Sequence, residues 1–195
     1  MNRTYKLVKH LVKIVTRFLF PYKITGKEKL DREGPFMIIM NHKGLLDPLY
    51  LIDFTKRPIH FFAKKNLSTW PILSYFFNRV ELIYVDRTVE HSGTTKYGIE
   101  YLNKGKVVGI FPEGHRKKTD EIEILPFKYG AFKMASTTKV PVVPVIMHKR
   151  PKLFSKKLSF EVLDPVFISD DLDMEKEKME KLYKDKVKDE TIKNK

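Results

Sequence analysis

A histidine and an aspartate five residues apart, His42 and Asp47, are the residues in this chain whose types and spacing suit proton transfer. A neutral imidazole accepts a proton near pH 7, and a carboxylate on its other ring nitrogen fixes the tautomer and steadies the imidazolium. The apolar run from Phe36 to Met40 precedes them and reads as a buried strand. In α/β proteins, ligands and chemistry collect just beyond the carboxyl ends of strands. On an ideal helix five steps turn about 500°, leaving the two side chains about 140° apart. They meet if His42 stands before the helix or in its first turn, with Asp47 reaching back. The expected helix is Gly44 to Ile52, where Pro48 is tolerated in the first turn.

Two further strand ends carry charge. Glu81 to Val85 reads as a strand that runs into Asp86-Arg87, and Lys106 to Phe111 as one that runs into Pro112-Glu113-Gly114-His115-Arg116. Ile59 to Ala63 is another strand, with Lys64 and Lys65 at its end and His60 taken as structural. Val140 to Met147 is a strand whose Pro141 and Pro144 forbid continuous two-sided pairing and predict an edge or a bulge. Leu158 to Leu163 is the last. Helices are expected over Thr88 to Lys104, stopped by Gly105, and over Phe127 to Thr138. Trp70 to Phe77 reads as a short apolar helix, core or acyl-facing. A final helix, capped by Ser169, holds Leu172, Met179 and Leu182. Ile24 to Pro35 reads as a polar connector and residues 117 to 124 as a charged loop. Strands alternating with helices predict a single α/β domain built on a mostly parallel sheet flanked by helices.

The 195 residues suffice for one domain with a real core. The absence of cysteine excludes disulfides, thiol nucleophiles and thiolate metal sites. A net charge of +14 asks for a polyanionic partner: nucleic acid, an anionic lipid surface or a phosphorylated substrate. The lysines are spread along the chain without a helix-turn-helix, RRM or zinc signature, so a basic nucleic-acid-binding module is the weaker alternative.

In residues 1–22, Leu7, Leu11, Ile14, Val15, Phe18 and Leu19 fall at helical spacing, with Lys6, Lys9, Lys13 and Arg17 between them. The apolar stretches are too short to span a bilayer, and no small-residue cleavage site follows. Two readings fit: a basic amphipathic helix lying in a membrane interface, or a helix packed on the domain with its lysines in water. The domain plan is an anchoring helix over residues 1–22, a catalytic domain over 23–183, and a lysine-rich tail over 184–195 that frays.

Taken together the motifs resemble those of the glycerolipid acyltransferase family, which includes bacterial 1-acyl-glycerol-3-phosphate acyltransferases. Asn41-His42-x4-Asp47 is similar to its first block and Tyr84-Val85-Asp86-Arg87 to its second. Phe111-Pro112-Glu113-Gly114-His115-Arg116 resembles Phe-Pro-Glu-Gly-Thr-Arg, and Val140-Pro141-Val142-Val143-Pro144-Val145 the fourth block. Phe127 to Phe132 looks like the stretch between the last two. Lys43-Gly44 stands where Gln-Ser is common, and His115 where threonine is usual.

The resemblance implies transfer of a fatty acyl group from a thioester, on coenzyme A or acyl carrier protein, to a hydroxyl of lysophosphatidic acid. Glycerol 3-phosphate or another lysophospholipid is the alternative acceptor, and a non-catalytic relative the alternative role. His42 is then the general base and Asp47 its partner. Arg87, Arg116 and Lys128 are the candidates to hold the acceptor phosphate, since arginine's planar fork suits phosphate oxygens. Glu113 orients an arginine or a glycerol hydroxyl, and backbone N–H groups around Gly114 face the oxyanion. No metal and no cofactor beyond the thioester co-substrate is expected. The resemblance favours membrane lipids as the partner of the N-terminal helix, at the cytoplasmic face of the cell membrane.

Overall fold

The computed structural model describes residues 3–64, 82–85, 93–115, 124–154 and 158–193. The elements are α1 (Arg3–Phe18), β1 (Tyr22–Thr25), a 3₁₀ turn (Lys27–Leu30), β2 (Phe36–Met40), α2 (Asp47–Phe54), β3 (Ile59–Lys64) and β4 (Ile83–Val85). There follow α3 (Thr94–Asn103), β5 (Val107–Ile110), α4 (Tyr129–Thr138), β6 (Val142–Met147), β7 (Leu158–Val162) and α5 (Leu172–Lys193). Trp70 to Phe77 lies outside the described residues.

The seven strands form one sheet in the order β1-β7-β6-β2-β5-β3-β4, with β2 at its centre. β2 runs parallel to β5 and β6, and β3 parallel to β5 and β4, while β6 and β7 are antiparallel. The carboxyl ends of β2, β5 and β6 therefore reach the same edge of the sheet. Every residue of β2 is buried, because helices cover both faces. Its side chains alternate. Phe36, Ile38 and Met40 meet Tyr50, Leu51 and Phe54 of α2 and Tyr5 and Val12 of α1; Met37 and Ile39 meet Phe132, Met134, Met179 and Tyr183 of α4 and α5.

β1 is a correction to the sequence reading. Ile24 to Pro35 is no plain connector: Tyr22 to Thr25 pair in parallel with Leu158 to Glu161, and Leu30 is buried in the turn behind them. Four residues with alternating polarity are too few to register as a strand; the free edge of β7 makes them one. The boundary expected after residue 22 therefore falls inside a strand.

The prolines of β6 predicted an edge or a bulge, and the bulge is what forms. β6 is an interior strand, between β2 and β7. Val142 faces Val166 and Val145 faces Val162, so two residues of β6 oppose three of the returning chain. Val142 donates its N–H to Val166, away from β2. Pro144, two residues on, points its nitrogen the same way, into the slipped register where no ladder bond is lost.

Helix boundaries move inward. α2 begins at Asp47 rather than Gly44 and α4 at Tyr129 rather than Phe127, while α3 lies within the Thr88 to Lys104 stretch expected to contain a helix. Gly98, which weakened the α3 pattern, has a packing reason. A Cβ there would stand 2.0 Å from the Met134 sulfur, so the glycine lets α3 lie close on α4. α5 also departs from expectation. The helix continues through residue 184 to Lys193 with Val187 buried, so no frayed tail starts at Lys184. Its cap is Asp171, which accepts the Met174 N–H at 3.0 Å, not Ser169.

α1 settles on the domain by one face. Tyr5, Val12 and Thr16 are buried. Thr16 donates to Asp53 Oδ2 of α2 at 3.0 Å, and Arg17 lies 3.7 Å from the same oxygen. Among the described residues, no helix is long and apolar enough to cross a membrane.

Candidate active site

Four residues after β2 make no regular element, and His42 is among them. Asn41, the first, is fully buried. Its side-chain amide donates to the Met147 carbonyl at 2.9 Å and its oxygen accepts the Met147 N–H at 2.8 Å. This two-way bond staples the end of β2 to the end of β6. Each such bond contributes about 1 kcal/mol net, and losing one partner leaves buried groups unsatisfied. The sequence singled out Asn41 as a motif residue without a task; the staple is its task.

His42 stands before α2 and Asp47 is the first residue of that helix, as the spacing argument required. Nδ1 of His42 is 2.8 Å from Oδ2 of Asp47. That oxygen also accepts the N–H of Lys43 at 2.7 Å and of Gly44 at 2.8 Å. One fully buried carboxylate thus folds the turn and orients the ring. A helix N-terminus favours a negative charge there. Because an ionised carboxylate only accepts, Nδ1 carries the proton in the neutral ring and Nε2 keeps its lone pair.

The ring is held from two more sides. Phe111, at the end of β5, stacks on it with centroids 4.2 Å apart and planes 21° apart. Phe61 of β3 lies against Phe111 in turn, 6.2 Å away. The His42 N–H donates to Oε1 of Glu113 at 2.7 Å. The side chain of His42 keeps 16% exposure beside a partner with none, so the base remains reachable.

Glu113 is buried, and its two oxygens are occupied by backbone: His42 N–H on Oε1, Leu125 N–H on Oε2 at 3.1 Å. Burial pushes its carboxyl above the usual carboxylate value; the two amides, His42 and Lys43 hold it down in part. The expected partners of Glu113 were an arginine or a substrate hydroxyl. Both arginines expected near it lie outside the described residues; its backbone bonds tie the β5 turn to the His42 turn.

Gly114 has φ of 76°, the left-handed region that suits glycine. A Cβ there would also meet the Lys128 chain at 2.7 Å, so Lys128 crosses directly over the turn. The Gly114 N–H bonds the Phe111 carbonyl at 3.0 Å, closing the turn. This amide is therefore engaged within the turn. Lys128 anchors its own backbone on the Pro112 carbonyl at 2.8 Å, and its side chain is the cation the structure brings to the motif. Lys43 turns aside, donating to the His148 carbonyl at 2.9 Å. Arg87 and Arg116 lie outside the described residues. Val85, two residues before Arg87, ends β4, which runs parallel to β3. His60 is buried against Tyr101, as a structural histidine. Among the described residues, no group of three His, Cys, Asp or Glu side chains is arranged to hold a metal.

Phe111 and Glu113 were visible as motif letters. Their contacts with His42 were not, since 69 and 71 residues of chain separate them. The chain that places this histidine–aspartate pair at the centre of an α/β sheet also matches a known family. The family profile described as Acyltransferase covers residues 21–148. The chain belongs to this acyltransferase family.

Two relatives carry the name 1-acyl-sn-glycerol-3-phosphate acyltransferase. One, from Saccharomyces cerevisiae, is 35% identical over 138 residues, 69% of this chain and 45% of that one. The other, from Bacillus subtilis, is 31% identical over 141 residues, 72% of this chain and 69% of that one. The chain spans about half the length of several curated relatives it matches. A crystal structure described as 1-acyl-sn-glycerophosphate (LPA) acyltransferase, PlsC, from Thermotoga maritima shares the fold. Its TM-score is 0.76 at 23% identity, over 96% of this chain and 78% of that one.

Proposed function

We propose that this chain transfers a fatty acyl group from a thioester to the free hydroxyl of 1-acyl-glycerol 3-phosphate, giving phosphatidic acid. The observation that carries the reading is the His42 Nδ1 to Asp47 Oδ2 contact of 2.8 Å, which leaves Nε2 as a base. The family and the names of the relatives support the same reaction.

In the step, Nε2 of His42 takes the hydroxyl proton while the oxygen attacks the thioester carbonyl. The C–O bond forms, the C–S bond breaks, and the thiolate leaves. The imidazolium then returns the proton to the sulfur. Asp47, ionised and buried, stabilises the imidazolium between the two transfers. No acyl-enzyme is needed. Lys128 holds the acceptor phosphate together with Arg87 and Arg116. The thioester carrier is coenzyme A or acyl carrier protein. The outer face of α1 holds the protein on the cytoplasmic face of the membrane, where a one-tailed acceptor and a two-tailed product reside.

The test is thioester consumption by the purified protein with a panel of acceptors. Lysophosphatidic acid is expected to be used fastest, ahead of glycerol 3-phosphate and uncharged lysolipids. Equal use of a phosphate-free acceptor overturns the phosphate assignment. Arg116→Ala is expected to raise the apparent KM for the phosphorylated acceptor more than for the acyl donor.

A further inference from the structure

α1 has two apolar faces. Tyr5, Val12 and Thr16 form the one that packs, and Leu7, Leu11, Ile14 and Phe18 form the other, exposed, about 120–180° away at roughly 100° per residue. The helix at the far end of the chain makes a useful contrast. α5 also buries one stripe, through Met179, Tyr183 and Val187, but turns Glu177, Lys178, Lys181 and Lys184 outward. A helix that only packs is polar on its outer side.

The exposed stripe does not end with α1. The N–H of Phe154, in the turn after β6, donates to the Leu19 carbonyl at 2.7 Å. Phe154 is 64% exposed, Leu153 beside it is exposed too, and Phe18 is 77% exposed. Phe154 also has φ of 55°, a left-handed angle that strains a residue with a side chain. The fold thus spends energy to hold a phenyl ring in water. At its other end the same segment reaches the catalytic turn. Pro151 packs 3.5 Å from where a Gly44 Cβ would stand, and the neighbouring Leu45 is 74% exposed. Lys149, Arg150 and Lys152 lie within this segment.

We propose that the Pro151–Phe154 turn is a second membrane-inserting element, which with the outer face of α1 seats an anionic bilayer against the mouth of the His42 turn. The inference rests on the membrane placement given under Proposed function and names the part of the fold that performs it. Apolar side chains enter the interface, and the interleaved cations meet lipid phosphates. Continuity from Phe18 through Leu19 and Phe154 to Pro151 and Gly44 brings the acceptor's headgroup level with the base. An acceptor then slides in sideways without leaving the lipid.

The test is partitioning of the full chain onto phosphatidylglycerol vesicles, measured by sedimentation. Leu153→Ser with Phe154→Ser is expected to lower the partition coefficient on the order of tenfold to a hundredfold. Phe167→Ser is the control. Phe167 is equally exposed but follows the Val142–Val166 bridge, at the edge of the sheet opposite His42. Its partitioning is expected to match the parent. Circular dichroism melting of each variant establishes that it is folded. Unchanged partitioning of a folded double variant overturns the proposal, as does an equal loss with Phe167→Ser. Turnover of a short-chain, water-soluble lysophosphatidic acid is read separately. Its absence in the parent protein overturns the acyl-transfer reading and leaves the partitioning result standing.

Discussion

The catalytic turn and the apolar rim beside it are built on opposite rules. From Asn41 to Asp47 the chain is pinned by hydrogen bonds: Asn41 to Met147, His42 to Asp47 and Glu113, Lys43 and Gly44 to Asp47. Along Leu7, Leu11, Ile14 and Phe18, and on to Leu153 and Phe154, apolar side chains meet water. The turn must hold a proton acceptor within a few tenths of an ångström, and directional bonds do that. The rim, proposed to meet a bilayer, needs no fixed geometry, because a bilayer is fluid and the hydrophobic effect is non-directional. Chemistry and presentation are thus separable, and substitutions distinguish them.

The largest effect belongs to the base. His42→Ala is expected to lower kcat/KM by about 10²–10⁴. The loss is the same for a water-soluble short-chain acceptor and for one in vesicles. A folded, fully active variant removes the base assignment. Asp47→Asn comes next, with a loss on the order of 10²–10³, since an amide stabilises neither the imidazolium nor one tautomer. Its pH–rate profile, not its vesicle binding, is where the change appears.

Rim substitutions act on presentation alone. Leu11→Ser with Phe18→Ser is expected to slow turnover of vesicle-borne acceptor about tenfold and leave soluble acceptor untouched. A loss on both substrates merges the two regions. This variant is cleaner than deleting the helix, because deletion uncovers Tyr50 and Phe54, which are fully buried in the cluster that α1 helps form.

The smallest effect is a pH dependence of stability. Burial raises the Glu113 pKa above its ordinary 4.5. The folded state therefore binds this proton more tightly than the unfolded state. Its contribution is present below 4.5 and is lost as pH rises through the raised value. Urea denaturation across that window should show the parent losing stability relative to Glu113→Gln as pH rises. An identical slope in both proteins removes the burial argument.

Much of the frame could be read from the chain. The parallel core strands announced themselves as apolar runs, and the His42–Asp47 spacing demanded a turn before a helix, which is what forms. β1 escaped because Tyr22 to Thr25 alternates over too few residues to register and becomes a strand only by pairing with β7. The end of α5 escaped because lysines hid the buried stripe at Tyr183 and Val187. The closure of the Gly114 amide onto the Phe111 carbonyl escaped because nothing local announces it.

The residue types and their spacing singled out the pair proposed to do the chemistry, since a histidine five residues before an aspartate has few ways to meet it. Whether that histidine is aligned was decided by β2, β5 and β6 ending together, which brings Phe111, Glu113 and Met147 to it from distant parts of the chain. The same holds for α1, whose one apolar stripe in the sequence is the exposed one. Its buried face, through Tyr5, Val12 and Thr16, is defined by the surface of α2 it meets. Contacts between residues far apart in sequence depend on the path of the whole backbone, and no local pattern encodes them.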